Sequence, residues 1–214
     1  MEKIFSTKRM QRYLAAHTGD PDKAILHYQC NIELAEAFYP TISVFEVALR
    51  NALNRELIAL AGKDDWYESL CKQPDMNDLY KKYIEQAKRQ IANRKETSSP
   101  DKIVAELTLG FWVSLLNRKY EKLLWKDLRR AFPYMPKAER QRKNISVPLN
   151  SFRAFRNRVF HHESICWNMN EIRDVHDKMI TVMSWINKEI PTWIAPFDRF
   201  ELVADRVEKR MGWK

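Results

Sequence analysis

The sequence predicts an all-α protein, a single-domain helical bundle, on three observations. Only four glycines occur in 214 residues, and alternation of apolar and polar residues is nearly absent, so sheets and their turns have little to work with. Apolar residues recur instead at spacings of three and four, the period of a helix with one buried face. The breaks between these stretches carry Ser-Pro, Asp-Pro or isolated Pro, the signatures of helix starts and stops.

The elements follow in chain order. Asp20-Pro21 reads as an N-cap followed by a first-turn proline, opening a helix that runs to about Tyr39, where Pro40 stops it. A second helix follows at once, with Ile42, Phe45, Leu49, Leu53, Leu57 and Leu60 on one stripe, and Gly62 ends it. Trp66 and Tyr67 fall in a short connection. Pro74-Asp75 opens a helix that is polar enough along 81–95 to be largely solvent-facing. Ser99-Pro100 repeats the cap-then-proline signal and starts one strongly apolar helix through Ile103, Leu107, Phe111, Leu115 and Leu116, in which Gly110 suggests close packing. Helices around 118–131, 146–159, 170–189 and 197–210 complete the chain, separated by Pro133, Pro136 and Pro191. There is no internal repeat, and a hydrophobic content of 45% over this length suits one core in one domain, residues 1–214.

Composition narrows the function classes. No apolar run approaches the roughly 18 residues of a membrane span, and the mean hydropathy is −0.55, so a soluble protein without a membrane partner is expected. Met1 to Arg9 turns polar before the apolar core of a secretory signal could form, which points to the cytoplasm. Cys30, Cys71 and Cys166 are odd in number and lack a Cys-x-x-Cys pair, arguing for ordinary thiols rather than disulfides or a zinc site. An excess of 37 Lys+Arg over 28 Asp+Glu gives a net charge of +9, which favours an anionic partner such as RNA.

The chemistry-bearing stretch lies at 146–165 and centres on Phe152-Arg153-Ala154-Phe155-Arg156-Asn157-Arg158-Val159-Phe160-His161-His162-Glu163. Phe152, Phe155 and Val159 share one helical face, and Arg156 lies at its edge, where its stem can be buried while the guanidinium reaches a cleft. His161 is five residues beyond Arg156, about 140° around a continuing helix. Either the helix ends near Phe160 and His161 folds back, or the two side chains meet counterparts from a second copy. Arginine and histidine together suit metal-independent RNA cleavage: histidine moves protons near neutral pH, and arginine stabilises charge on the scissile phosphate. The RNA supplies its own 2′-hydroxyl nucleophile, so no cofactor or metal is required. The bland reading is a cluster of cations complementing a helix C-terminus.

These residues resemble a known family. Arg156-Asn157-x-x-x-His161 fits the R-x4-6-H signature of HEPN ribonucleases. With Val44-Phe45-Glu46-Val47-Ala48-Leu49-Arg50-Asn51, Leu107-Thr108-Leu109-Gly110-Phe111-Trp112 and Leu124-Trp125-x-x-Leu128-Arg129, the chain resembles the Abi-like family of bacterial abortive-infection proteins over roughly residues 41–165. The resemblance implies a HEPN helical fold, a homodimer that brings two motifs together, and an endoribonuclease acting in antiviral defence or toxin–antitoxin systems. It implies Arg156 as the phosphate-stabilising residue, Asn157 as the orienting polar residue and His161 as the proton carrier. His162 fits the looser spacing and either shares that role or caps the helix. A cognate antitoxin or a regulatory RNA would restrain such an activity.

Around this core, Arg153 and Arg158 are candidates for RNA contact, and Arg129, Arg130, Lys137, Arg140, Arg142 and Lys143 form a possible backbone track, or simply a solvated surface. Glu46, Arg50 and Asn54 lie at four-residue steps. An ordinary Glu46–Arg50 ion pair along the helix explains the first two, and lining of the site is the alternative. Trp112, Trp125, Trp185 and Trp193 fall at apolar helical positions and are expected in the core, with Trp167 the exception. Competing functions are a non-catalytic HEPN-like module that binds RNA or protein, and an inactive basic scaffold. A zinc hydrolase built on His161-His162-Glu163 would need a histidine where Cys166 stands, and an intramembrane protease would need membrane spans.

Overall fold

The computed structural model describes residues 4–76 and 78–213. Met1 to Lys3, part of the stretch on which the absence of a secretory signal was judged, lie outside them. Among the described residues all regular structure is helical and there is no strand. The chain order is α1 (Thr7–Ala16), α2 (Pro21–Ala37), α3 (Tyr39–Ala61), α4 (Trp66–Cys71), α5 (Asp78–Asn93), α6 (Pro100–Glu106), α7 (Leu109–Ser114), α8 (Lys126–Leu128), α9 (Arg142–Phe160), α10 (Met169–Ile186), α11 (Ile190–Ile194) and α12 (Phe200–Met211).

α3 is the organising helix: α10, α7, α4, α8 and α11 all pack on it, while α9 lies against α7 and α10. Its stripe of Ile42, Phe45, Leu49, Leu53 and Leu57 is buried. Leu60, expected on the same stripe, is 43% exposed, because the core ends one turn before the helix does. Gly62 terminates α3 in the left-handed conformation, at φ 71°, which glycine adopts without steric cost. α1 and α2 form a hairpin, with α12 laid on α2.

The capping signals hold at two places. Asp20 accepts from the Asp22 and Lys23 amides at the start of α2, and Ser99 accepts from the Lys102 amide at the start of α6. Four expectations need correction. Pro40 does not stop a helix but occupies the first turn of α3, where its missing N–H has no intrahelical partner to lose. Trp66 and Tyr67 are not connection residues: they begin α4 and are buried. The single helix expected from Ser99 onward breaks at Leu107, because Thr108 takes an extended conformation and its hydroxyl caps α7 through the Phe111 amide. The segment 118–131 is a run of short turns of changing pitch, with α8 in its middle.

α5 also buries more than its polarity suggested, through Tyr80, Ile84, Ala87 and Ile91. α9 starts earlier than expected and carries Pro148 inside it. α1 was not anticipated. Of the tryptophans, Trp112 is buried, and Trp125 and Trp185 pack at the edge of the core. Trp193 is 63% exposed, contrary to expectation, with its ring edge-on to Phe197.

Candidate active site

α9 is anchored by its apolar face, since Phe152, Phe155 and Val159 are buried. The Phe152 ring meets Phe45 of α3 edge-on, with centroids 5.4 Å apart. That contact sets the register that brings Arg156 opposite Glu46. The Arg156 Nε donates to Glu46 Oε1 at 2.6 Å, with both side chains about one-third exposed (33% and 27%). The expected Glu46–Arg50 pair is therefore replaced by an interhelical one. Because Glu46 takes the Nε, the two terminal nitrogens of Arg156 remain to face a ligand. Its guanidinium lies over the Phe160 ring, 4.3 Å from the centroid, a cation–π contact that limits its swing.

Glu46, Arg50, Arg153, Arg156 and Asn157 line one open, polar cleft of about 460 Å³, whose far wall is the α6–α7 joint from Ala105 to Gly110. Glu106 also lines it but pairs with Arg94, and among the described residues Arg50 and Arg153 have no carboxylate partner while Glu46 pairs with Arg156, so arginines outnumber glutamates and the cleft is net positive. The Trp112 indole donates to the Leu107 carbonyl at 3.2 Å, tying off the break that forms this wall. A Cβ on Gly110 would meet nothing closer than 3.5 Å. Thr108 Oγ1, the Tyr83 hydroxyl and Arg153 Cδ would stand 3.5, 3.6 and 3.8 Å from it, ordinary van der Waals contact, so Gly110 is closely packed, as expected, without excluding a Cβ.

The helix stops as a Schellman motif. The Glu163 amide donates to the Arg158 carbonyl at 2.9 Å and the His162 amide to the Val159 carbonyl at 3.1 Å, with His162 left-handed at φ 57°. This is the position where glycine is the usual occupant. His161 is the C-cap residue, exposed, with its amide bonded to the Asn157 carbonyl. Of the two routes open from the sequence, the helix does end at Phe160, but His161 does not line the Arg156 cleft. His162 faces the other side, lining a second cleft with Lys8, Arg9, Arg12, Arg158 and Glu163. Asn157 is exposed on the Arg156 side.

The loop after the motif is held rigidly. The Arg158 guanidinium donates to the Ser164 carbonyl and lies 3.8 Å from Glu163. Buried Asn31 accepts from the Ile165 amide at 2.7 Å. Buried His27 bonds the Cys166 carbonyl through Nε2 at 2.9 Å; since a carbonyl only accepts, Nε2 carries the proton, and Nδ1 accepts from His17 Nε2 at 3.0 Å. Burial lowers the His27 pKa. It also pushes the Cys166 thiol up to about 12 and the Tyr13 phenol, despite its bond to Ser164, up to about 12. These groups are structural.

Asn31, His27 and the basic face of α1 were missed from the sequence. Polar residues four apart on a buried helix, His27 and Asn31, were the readable signal for the first two. Lys8, Arg9 and Arg12 lie 150 residues from the motif, and nothing local links them to it. In the basic track, Arg140 donates to the Pro133 and Met135 carbonyls, and Arg142 pairs with Glu121 and the Leu116 carbonyl. Arg130 pairs with Asp127. Arg129, Lys137 and Lys143 keep exposed heads. Arg142 opens α9, about 20 Å along the helix from Arg156. Trp167 is covered by Arg12, 4.2 Å from its ring centroid. Compared with family models, with curated proteins and with solved structures, the chain matches none of them.

Proposed function

We propose that this chain is a metal-independent endoribonuclease of the HEPN type, resembling Abi-like proteins and acting in phage defence or as a toxin. The observation that carries the reading is Arg156: braced by Glu46 and Phe160, it offers its two free nitrogens to a positively charged cleft, one turn from an exposed histidine at a helix end. In the proposed reaction a histidine removes the 2′-hydroxyl proton, and the oxygen attacks the adjacent phosphorus. The 5′-oxygen leaves as it takes a proton from the imidazolium so formed, giving a 2′,3′-cyclic phosphate end and returning the histidine to its neutral form. Arg156 stabilises the charge on the phosphorane oxygens, and Arg50 and Arg153 hold the neighbouring backbone.

His161 lies outside the Arg156 cleft of its own chain, so the proposed site is completed by a second copy, in a homodimer joined along the C-terminal ends of the two α9 helices. That same separation favours the second reading, a non-catalytic module that binds RNA through the arginine cleft. Cleavage of a mixed RNA pool in EDTA separates them. Wild-type protein should cut and leave cyclic phosphate ends, while folded Arg156→Ala and His161→Ala variants should lose on the order of 10²–10⁴ in rate. RNA binding without cutting by all three proteins would overturn the enzyme reading in favour of the binding module.

A further inference from the structure

Where α10 meets the start of α12, the fold brings together groups that the proposed RNA cleavage does not use. His176 is 6% exposed. Its Nε2 lies 2.8 Å from Asp198 Oδ2, and because the Asp198 oxygen is an acceptor in its ionised form, Nε2 is the protonated nitrogen. Asp198 is itself fixed, its Oδ1 accepting from the Phe200 amide at 3.1 Å. The Phe200 ring stacks on the imidazole at 4.4 Å, with the planes 19° apart. Ring plane and tautomer are thus set from two sides.

In the neutral ring this leaves the lone pair on Nδ1, an atom that is buried and has no hydrogen-bond partner. An unpartnered buried acceptor is costly and calls for a ligand. Nδ1 lies 3.6 Å from Asp177 Oδ1, and one ring nitrogen of His176, an Asp177 oxygen and a Glu201 oxygen all lie within 4.8 Å of one another. We propose that His176, Asp177 and Glu201 form a binding site for a divalent transition-metal cation, Zn²⁺ being the best chemical fit, that clasps α10 to the first turn of α12.

Geometry and donor type support this. Metal–ligand bonds of about 2.0–2.2 Å in a tetrahedron put ligand atoms roughly 3.3–3.5 Å apart. The His176–Asp177 pair is already near that spacing, and the exposed Glu201 side chain can rotate to close the rest. An imidazole donor selects Zn²⁺ and its neighbours over Mg²⁺ or Ca²⁺, and three protein ligands leave a fourth position for water. The Asp198–His176 bond is the outer-shell carboxylate that orients a ligating histidine and raises its basicity.

The surrounding charges permit it. Arg173, the nearest cation, is 3.4 Å from Glu201 but also pairs with Asp205 at 2.7 Å and Glu208 at 3.1 Å, so Glu201 can leave it without stranding the guanidinium. Lys178 is paired with Asp174. From the joint between α2 and α3, the site is backed by the Phe38 ring, which carries no charge. No sequence motif marks the site, since Glu201 stands 25 residues from His176 and only folding joins them.

The test is metal binding by the full chain at pH 7.5, measured by Zn²⁺ competition with a chromophoric chelator and by Co²⁺ visible absorption. Wild-type protein should take up one equivalent, raise its melting temperature with Zn²⁺ and ignore millimolar Mg²⁺. Asp177→Asn/Glu201→Gln changes only exposed carboxylates and keeps the His176–Asp198 bond, so it should fold normally and, with His176 the one ligand left, lose saturable binding. A His161→Ala/His162→Gly variant should bind as wild type. No saturable uptake would overturn the proposal. Binding that survives the carboxylate variant, or disappears in the His161/His162 variant, would overturn it equally.

Discussion

Replacing Glu46 by Gln tests the contact on which the site geometry rests. The pair it breaks is interhelical, at 2.6 Å, and about one-third exposed on each side. Two unit charges about 4 Å apart near a protein surface attract by roughly 4 kcal/mol before desolvation and side-chain ordering are subtracted. Fully exposed pairs retain about 0.2–1 kcal/mol of that, and breaking a fully buried pair costs about 3–5 kcal/mol because a charge is stranded. With the Arg156 terminal nitrogens still in a water-filled cleft, stranding is partial, and a loss of about 1 kcal/mol is expected. Urea denaturation of wild type, Glu46→Gln, Arg156→Ala and the double variant forms a double-mutant cycle. A coupling energy of about 1 kcal/mol should appear, because each partner is the other's only ion pair among the described residues. In the RNA assay, Glu46→Gln should reduce cutting by about tenfold or more without abolishing binding, since a guanidinium displaced by an ångström loses its alignment on the phosphate. Additive stability effects would refute the structural pairing, and unchanged cutting would refute the bracing role.

Two further outcomes follow from the same geometry. His162 holds a left-handed backbone that costs a non-glycine residue on the order of 1 kcal/mol, so His162→Gly should be neutral to mildly stabilising by denaturation. It should still cut RNA if His161 is the proton carrier, and an inactive but folded His162→Gly would transfer that role. The lowered pKa of buried His27 keeps it neutral in the folded state while the unfolded chain protonates near pH 6.5. The unfolded state then binds more protons, so this contribution to stability is complete above about pH 6.5 and is lost as the pH falls through and below that value, at about 1.4 kcal/mol per unit of pKa depression. Melting curves of wild type and His27→Gln between pH 7.5 and 5 should converge on acidification; parallel curves would refute the assignment.

The helical class was legible because it depends on local periodicity: the α3 stripe from Ile42 to Leu57 and the caps at Asp20 and Ser99 can be read from a few neighbouring residues. What failed was local competition and distant partnership. Thr108 has a hydroxyl that can bond an amide three residues on, and it ended a helix that the apolar pattern of Ile103, Leu107 and Phe111 would have continued. Pro40 signals both an end and a beginning, and only the buried Phe38 at the joint decides which. In the site, Arg156 and its edge position followed from the helix period. Its partner did not: Glu46 had a nearer candidate in Arg50 by sequence, and the tie was broken by Phe45 docking on Phe152, a contact between residues more than a hundred positions apart. The α1 cations beside His162 and the His176 cluster are invisible for the same reason.

The ending of α9 carries the last consequence for the proposed reaction. A continued helix would rotate His161 about 140° from Arg156, and the Schellman turn does not reverse that separation, because it sends His162 toward α1 while His161 caps the helix outside the arginine cleft. In the proposed reaction a single copy therefore has the arginine of the site without its histidine. If the carrier comes from a second copy, two individually inactive chains must complement each other: a pairing of Arg156→Ala with His161→Ala contains one wild-type Arg156 facing one wild-type His161. Random exchange makes half of the dimers mixed, each with one intact site of two, so equal mixing should restore about a quarter of wild-type activity. Mixing that restores nothing, although size analysis shows that the two variants have exchanged partners, would place both groups in the same chain's site and require His161 to swing back across Phe160. That movement would break the cation–π contact now holding Arg156, and the site would then be one that forms only when RNA binds.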